Sequence, residues 1–334
     1  MSGAARDDEL MTASAILERI PSLRILVAGD ICLDRWCTYD PALAEPSRET
    51  GLLRVAVTST VTTAGAGGTV ANNLAALGAG SIAVLGAVGE DGFGFELRQA
   101  LARVGVDDSL LVPTPGATFT YTKLLNKLTG EEDLGRIDFI APPPPPENET
   151  EIVRRLIEHA PRFDAVIVAD QAETQTGGAV TAGVREALAG LARRHPSLLI
   201  WVDSRLRPEL FRDVIVKPNE REAREACARL GVSGFRELHA TVGHRLMMIT
   251  HGGEGVLILD GAEESWVRTR PVEKPVDICG AGDSFSAGAV LALAAGASPA
   301  AAARFGHLVA SITIMKKGTG TASPAEVREA EARW

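Results

Sequence analysis

The sequence predicts an α/β fold, a doubly wound, mainly parallel sheet with a small β lid inserted into it. Three observations lead there. Short apolar runs at residues 24–29, 82–88, 165–169, 198–202, 214–216 and 246–250 alternate with helical patterns, and continuous apolar runs suit strands buried on both faces. Residues 52–61, 118–126 and 134–140 instead alternate apolar with polar, which suits strands with one wet face and sets them apart from the central sheet. Glycine-rich turns at residues 65–68 and 280–282 each open a helix.

Taking the chain in order, residues 8–20 read as a short amphipathic helix, and the first buried strand ends at Gly29. Ligands of open parallel sheets sit at the carboxyl ends of strands, so Asp30 and Asp34 are placed for one, or are solvated loop carboxylates. Residues 36–50 read as irregular, with Pro41 and Pro46. The helix after Gly65 turns Leu74 and Leu77 to the core and stops at Gly78. Asp91 caps the next helix. The lid takes residues of about 36–64 and 114–141 within a single domain of 1–334, and a run of prolines, 142–146, leads back as a stiff spacer. Four later strands end in polar residues, at Asp170, Asp203, Lys217 and Thr250, and mark a ligand crevice along one sheet edge. Asn219 with Glu222 three residues on is a capping-box helix start. Residues 250–255 make a hairpin turn or a loop that admits phosphate. Ser323-Pro324-Ala325-Glu326 opens the last helix.

The run Asp277-Ile278-Cys279-Gly280-Ala281-Gly282-Asp283 carries the chemistry. A small-residue turn at a helix start aims N–H groups and the positive end of the dipole at one point, where an anion fits. A carboxylate beside that anion is odd for simple binding. It suits a base taking the proton of a hydroxyl that attacks a phosphoryl group. The plain alternative is Asp283 as an N-cap.

Composition narrows the field. Among 334 residues 46% are hydrophobic, enough for a packed core, and the net charge of −9 with no basic run argues against a nucleic-acid partner. The four cysteines form no C-x-x-C pair, the start is polar and acidic, and the longest apolar run is broken by Gly296 and Pro299. A soluble, cytoplasmic protein with no membrane partner is expected. No G-K dipeptide occurs, which excludes a Walker P-loop.

These motifs, in this order, resemble the PfkB (ribokinase-like) carbohydrate kinases, with Ile278 where Thr is usual. The resemblance runs over about residues 24–321 and implies ATP and Mg²⁺ as cofactors, K⁺ as a further one, and a sugar or sugar-phosphate substrate. It assigns Asp283 as base and the backbone of Gly280, Ala281 and Gly282 as anion hole. Asp34, then Asp30, would bind sugar hydroxyls with Gly67, Gly68 and Asp170, and Thr69 falls where the family has an Asn. Asn219 and Glu222 would organise Mg²⁺ through water; Thr250, Gly252 and Gly255 would hold the nucleotide. His307 either edges the base or is an ordinary buried histidine. Asp277 would help hold a monovalent cation together with residues 316–321. Arg136-Ile137-Asp138 is similar to a motif of heptose-phosphate kinases, although Gln171-Ala172-Glu173 replaces their Gly-Lys-Gly. Arg136 binds a sugar phosphate or pairs with Asp138. The lid implies a homodimer. The rival readings are a nucleoside kinase, disfavoured by an aromatic content of 4%, and a catalytically silent sensing protein, disfavoured by the intact Gly280–Asp283 run.

Overall fold

The computed structural model describes residues 11–140, 142–174 and 178–333. The start of the expected 8–20 helix and the last lid residue, 141, lie outside them. In chain order the elements are α1 (Ala13–Arg19), β1 (Arg24–Gly29), β2 (Ile31–Tyr39), β3 (Val57–Ala66), α2 (Gly67–Ala76), β4 (Ser81–Leu85), β5 (Ala87–Gly89), α3 (Gly92–Arg103), β6 (Val112–Thr114), β7 (Thr120–Asn126), β8 (Ile137–Phe139), α4 (Pro146–His159), β9 (Ala165–Asp170), α5 (Ala182–Arg194), β10 (Leu199–Ser204) and β11 (Ile215–Val216). There follow α6 (Glu220–Leu230), α7 (Phe235–Val242), β12 (Leu246–Thr250), β13 (Gly255–Asp260), β14 (Glu263–Arg268), α8 (Ala281–Ala294), α9 (Pro299–Thr313) and α10 (Pro324–Glu331).

Eight strands form the main sheet in the order β14-β13-β12-β11-β10-β9-β1-β4, parallel from β12 to β4, with β13 and β14 antiparallel at one edge. Its strands are apolar on both sides because helices cover both. Ile25 and Val27 of β1, Ile167 of β9, Trp201 of β10 and Met248 of β12 join a core with α2, α8 and α9. Their sequence neighbours Leu26, Val168, Val202 and Met247 join a second core with α4, α5 and α6. The period-two alternation thus feeds two cores from one sheet.

The lid is a separate sheet, β3-β2-β7-β8. Two expectations are corrected here. Residues 36–39 belong to β2, which pairs with β3 and β7 on its two sides and carries Asp34 within the strand rather than on a loop. The alternating segment 52–61 becomes strand only from Val57; before that a single bridge joins Leu53 to Pro46. The pattern there is exposed on both faces, so alternation alone did not mark where pairing starts. The expected strand 82–88 splits into β4 in the main sheet and β5, which pairs with β6. The caps match their sequence signals: Asp91 accepts from Gly94 N–H, and Asn219 and Ser323 close full capping boxes.

Asp170 and Asp30 were expected at the substrate. The structure gives both internal work. Asp170 is fully buried, pairs with Arg207 Nη2 at 2.6 Å and accepts from Ser204 Oγ at 2.6 Å. Asp30 accepts backbone N–H groups of Gln171, Ala172 and Ala179, each at 2.8 Å, so it shapes the chain after β9 from beneath. Burial, then the nearby Asp170 charge, pushes its carboxyl up to about 6. Breaking a buried pair leaves an uncompensated charge, so Arg207→Met is expected to destabilise the fold by about 3–5 kcal/mol. Urea unfolding monitored by circular dichroism measures this, and Arg207→Met with Asp170→Leu together should recover most of the loss.

Candidate active site

The crevice lies at the carboxyl edge of β9–β12, between the main sheet and the lid. Its floor is the start of α8. Gly280 caps that helix at φ 77°, a left-handed conformation that favours glycine, and a Cβ there would sit 3.3 Å from the methyls of Thr69 and Thr319. Cys279 N–H donates to Asp277 Oδ1 at 2.9 Å and Ala281 N–H to Ile278 C=O at 3.2 Å. The expected anion hole is therefore corrected by one group, since the Ala281 amide closes the turn. Among the described residues no acceptor takes the N–H groups of Gly280, Gly282 and Asp283. They are left with the positive end of α8, and together they suit an anion.

Asp283 does not cap the helix: α8 has no side-chain cap. Its carboxyl is partly buried in the crevice and pushed up to about 7, by desolvation first and by the Asp203 charge second, against the pull of Arg205 and Lys217. Asp203, at the end of β10, is buried, is bridged by Lys217 Nζ at 3.0 Å and accepts from Ser286 Oγ at 3.2 Å. Burial disfavours the Lys217 ammonium, but Asp203 and Glu222 outweigh that and hold its pKa above the ordinary lysine value. A Cβ on Gly282 would lie 3.8 Å from Lys217 Nζ, so the ammonium stands beside the anion hole.

Asp34 enters from the lid strand β2. A Cβ on Gly65 would overlap its carboxylate, which is why the antiparallel partner Thr63 is followed so soon by glycine. Burial pushes Asp34 up to about 6, opposed by Lys123, Arg136 and Arg205. Gly67, Gly68 and Thr69 form the buried first turn of α2, which starts from Ala66 at φ 51°, a strained angle for a residue with a side chain. Strain of this kind clusters at functional sites. Arg136 Nη2 donates to Asp138 at 2.7 Å, the surface pair the sequence allowed.

At the other side, Glu222 is buried and its Oε2 closes the capping box on Asn219 N–H at 2.8 Å, while among the described residues Oε1 takes no hydrogen bond. A backbone bridge joins Asn219 to Thr250, which brings the N-x-x-E helix start and the 250–255 turn together. That turn is a hairpin between β12 and β13, as the sequence allowed. Gly255 is required there by Val267 O of β14, which a Cβ would strike, and Gly252 takes φ 55°. His307 on α9 is buried edge-on to Phe285, and burial pushes its ring down to about 4, so it is neutral. Among the described residues its Nε2 has no partner, which leaves the ordinary-buried and base-edging readings both standing. Asp277 holds the 316–321 loop through Gly318 N–H at 3.0 Å. Among the described residues no group of three or more His, Cys, Asp or Glu could hold a metal by itself.

Residues 25–136 and 199–326 match the pfkB family carbohydrate kinases. The chain belongs to that family. It is similar to the bifunctional protein HldE of Trichlorobacter lovleyi, 29% identical over 94% of this chain and 64% of the relative, and to that of Caulobacter sp. strain K31, 30% identical over 91% and 62%. The chain thus spans somewhat less than two thirds of those relatives. Among solved structures, Escherichia coli phosphofructokinase-2 in complex with potassium superposes with a TM-score of 0.71 at 21% identity, over 93% of this chain and 99% of that one. Thermotoga maritima ribokinase gives 0.68 at 18% identity, over 93% and 100%. These two confirm the ribokinase-like fold. As a pfkB member the chain is a sugar-kinase-type protein, and among the described residues no helix is long and apolar enough to cross a membrane.

Two residues of the crevice had no role in the sequence reading. Lys217 stood out only as a strand-end polar residue. Arg205, just past β10, carried no motif at all, yet its charge reaches Asp34, Asp283 and Glu222. The one available signal was position: both follow strands whose ends line the crevice.

Proposed function

We propose that the protein transfers the γ-phosphoryl group of ATP to a hydroxyl of a sugar or sugar phosphate. The observation that carries this reading is Asp283: a carboxyl raised to about 7, set beside three amides at a helix start that meet no acceptor among the described residues. An anion at the amides and a hydroxyl at the carboxylate are the two partners of phosphoryl transfer. The acceptor oxygen forms its bond to the γ-phosphorus as the bond to the bridging oxygen of ADP breaks. Its proton passes to Asp283 late, because a carboxylate is far too weak a base to ionise an alcohol beforehand. The amides of Gly280, Gly282 and Asp283 and the Lys217 ammonium stabilise the charge on the transferring group. Asp34 orients the acceptor as hydrogen-bond partner of its hydroxyls, with Thr69 alongside.

The nucleotide is placed over Asn219, Thr250 and Gly252. Glu222 fits Mg²⁺, since a carboxylate with one undonated oxygen suits an ion that keeps most of its ligands as water and phosphate. That ion would supply charge neutralisation at the phosphates. Asp277 and the 316–321 loop are the proposed monovalent-cation region. The exposed Val57, Val61, Ile137 and Phe139 of the lid favour a second copy of the chain as its cover.

The test is ADP release with Mg-ATP and K⁺ across neutral sugars, hexose and heptose phosphates, and nucleosides. Turnover on a sugar or sugar phosphate supports the reading. Turnover on nucleosides alone, or on no acceptor despite measurable ATP binding, contradicts it.

A further inference from the structure

A cavity of about 420 Å³ opens to solvent beside α2, and none of the residues lining it is assigned to the nucleotide or the acceptor. Ala75 and Ala76 of α2, with Ala100 of α3 and Val104 just after it, give it apolar walls. Thr62 of β3, Asn72 of α2, and Thr319 and Thr321 of the 316–321 loop supply hydroxyl and amide groups. Arg103, the last residue of α3, stands exposed among them. Pockets for small molecules measure about 300–1,000 Å³ and combine an apolar lining with a few placed polar groups, so size and lining both fit. The polar groups are held in place yet uncommitted. Arg103 Nη2 donates to Thr62 C=O at 3.0 Å and to its hydroxyl at 3.3 Å, and among the described residues no carboxylate pairs with the guanidinium. Asn72 Nδ2 donates to Ala64 C=O at 3.0 Å, while its Oδ1 takes no hydrogen bond among the described residues. The Thr319 and Thr321 hydroxyls have no partner there either. Two walls of this cavity also clamp the anion site. A Cβ on Gly280 would lie 3.3 Å from the methyls of Thr69 and Thr319 alike. Thr69 belongs to the first turn of α2 and Thr319 to the 316–321 loop, so the elements that line the cavity are those that hold Gly280 between them.

We propose that this cavity binds a small organic monocarboxylate, and that the ligand favours ATP at the crevice by bracing α2 against the 316–321 loop. Arg103 is the one cation lining the cavity among the described residues. A single guanidinium matches a single carboxylate, through charge-assisted bonds of fixed geometry. A phosphate dianion would bring a second charge with nothing to meet it. The alanines and Val104 take the apolar body of the ligand, and a hydroxyl on that body donates to Asn72 Oδ1. The sign of the coupling follows from what a ligand can stabilise. In this conformation the amides of Gly280, Gly282 and Asp283 meet no acceptor among the described residues and suit an anion. If α2 and the loop move apart, the ligand loses one wall, so its binding favours the conformation in which the anion site is formed. By the same linkage an ATP phosphate at the anion site tightens the ligand by an equal factor. The binding site stands without the kinase reading; the coupling to ATP rests on it.

The experiment uses the whole chain at fixed Mg²⁺ and K⁺, with 4-hydroxybenzoate, indole-3-carboxylate and 2-hydroxyisocaproate as probes. The carboxamide of each and phenyl phosphate serve as controls. Ligand-observed NMR and calorimetry measure binding to wild type, Arg103→Met and Ala76→Leu, the last of which fills the cavity with a side chain. At least one carboxylate should bind wild type with a Kd of about 1 mM or tighter, and its carboxamide about tenfold more weakly. Arg103→Met should weaken it by about tenfold or more, and Ala76→Leu should abolish it with the melting temperature near that of wild type. A saturating probe should lower the Kd for a non-hydrolysable Mg-ATP analogue about fivefold in wild type and leave it unchanged in Arg103→Met. Binding of none of the three probes, equal binding of the carboxamide, or binding that survives both substitutions would overturn the site. Tighter binding of phenyl phosphate would overturn the monocarboxylate class. An unchanged or raised Kd for the analogue would overturn the coupling. Probe binding that depends on Arg103, in a protein that binds the analogue but turns over no acceptor, would uphold the site and count against the kinase reading alone.

Discussion

Asp283→Asn is expected to lose at least about a thousandfold in turnover while binding ATP nearly as well as wild type. General-base contributions are typically 10²- to 10⁴-fold, and in the proposed mechanism the same side chain also orients the acceptor. The amide of Asn cannot take the proton, but the backbone N–H groups of residues 280, 282 and 283 stay in place, so the anion site survives. A second consequence concerns stability. A carboxylate whose folded pKa is about 7, against roughly 4 when unfolded, binds its proton more tightly in the fold. Between those values the unfolded chain ionises first, so this group lowers stability progressively as pH rises from about 4 to 7, and by a constant amount above. Asp283→Asn removes that cost. Its melting temperature should match wild type near pH 4 and exceed it at pH 8, by an amount corresponding to a few kcal/mol at most. Thermal unfolding at the two pH values checks it; a variant less stable at pH 8 than wild type would mean that Asp283 is ionised and well paired.

The second large effect is at Lys217. Lys217→Met leaves Asp203 buried with only Ser286 for company, which should cost about 3–5 kcal/mol of stability. Turnover should fall about 10²- to 10³-fold, because a charge beside the transferring group is lost and Asp283 loses one of the two cations that hold its pKa down. The two losses separate in the double variant Asp203→Asn, Lys217→Met. Removing the orphaned charge should restore most of the stability and little of the activity. Recovery of both would make Lys217 a structural partner of Asp203 and nothing more.

Much of this site was legible in the sequence because it sits on ends. Glycine turns, caps and polar residues after apolar strands are local signals, and they placed Gly280, Asp283, Asn219 and Thr250 correctly at one sheet edge. What failed was partner choice. Asp170 and Asp30 stand at strand ends like Asp203, but Arg207 claims the first and the amides of Gln171, Ala172 and Ala179 the second, and nothing local in the sequence announces a pairing over 37 or 149 residues. The end of lid strand β2, residues 36–39, reads as irregular because it leads without a break into a segment with Pro41 and Pro46. Its strand state comes from β3 and β7 on its two sides. Arg205 was missed, and Lys217 was marked only by its strand end, because their charges reach Asp283 across the crevice rather than through a sequence neighbour.

The most direct test of Asp283 as proton acceptor is the pH dependence of single-turnover phosphoryl transfer, with acceptor and Mg-ATP saturating. The observed rate should fall about tenfold per pH unit on the acid side of a single inflection near 7. In Arg205→Met the inflection should lie higher, since a cation that favours the carboxylate is gone. A rate flat between pH 5.5 and 8, or an inflection unmoved by that change, would contradict the assignment of Asp283 as the base.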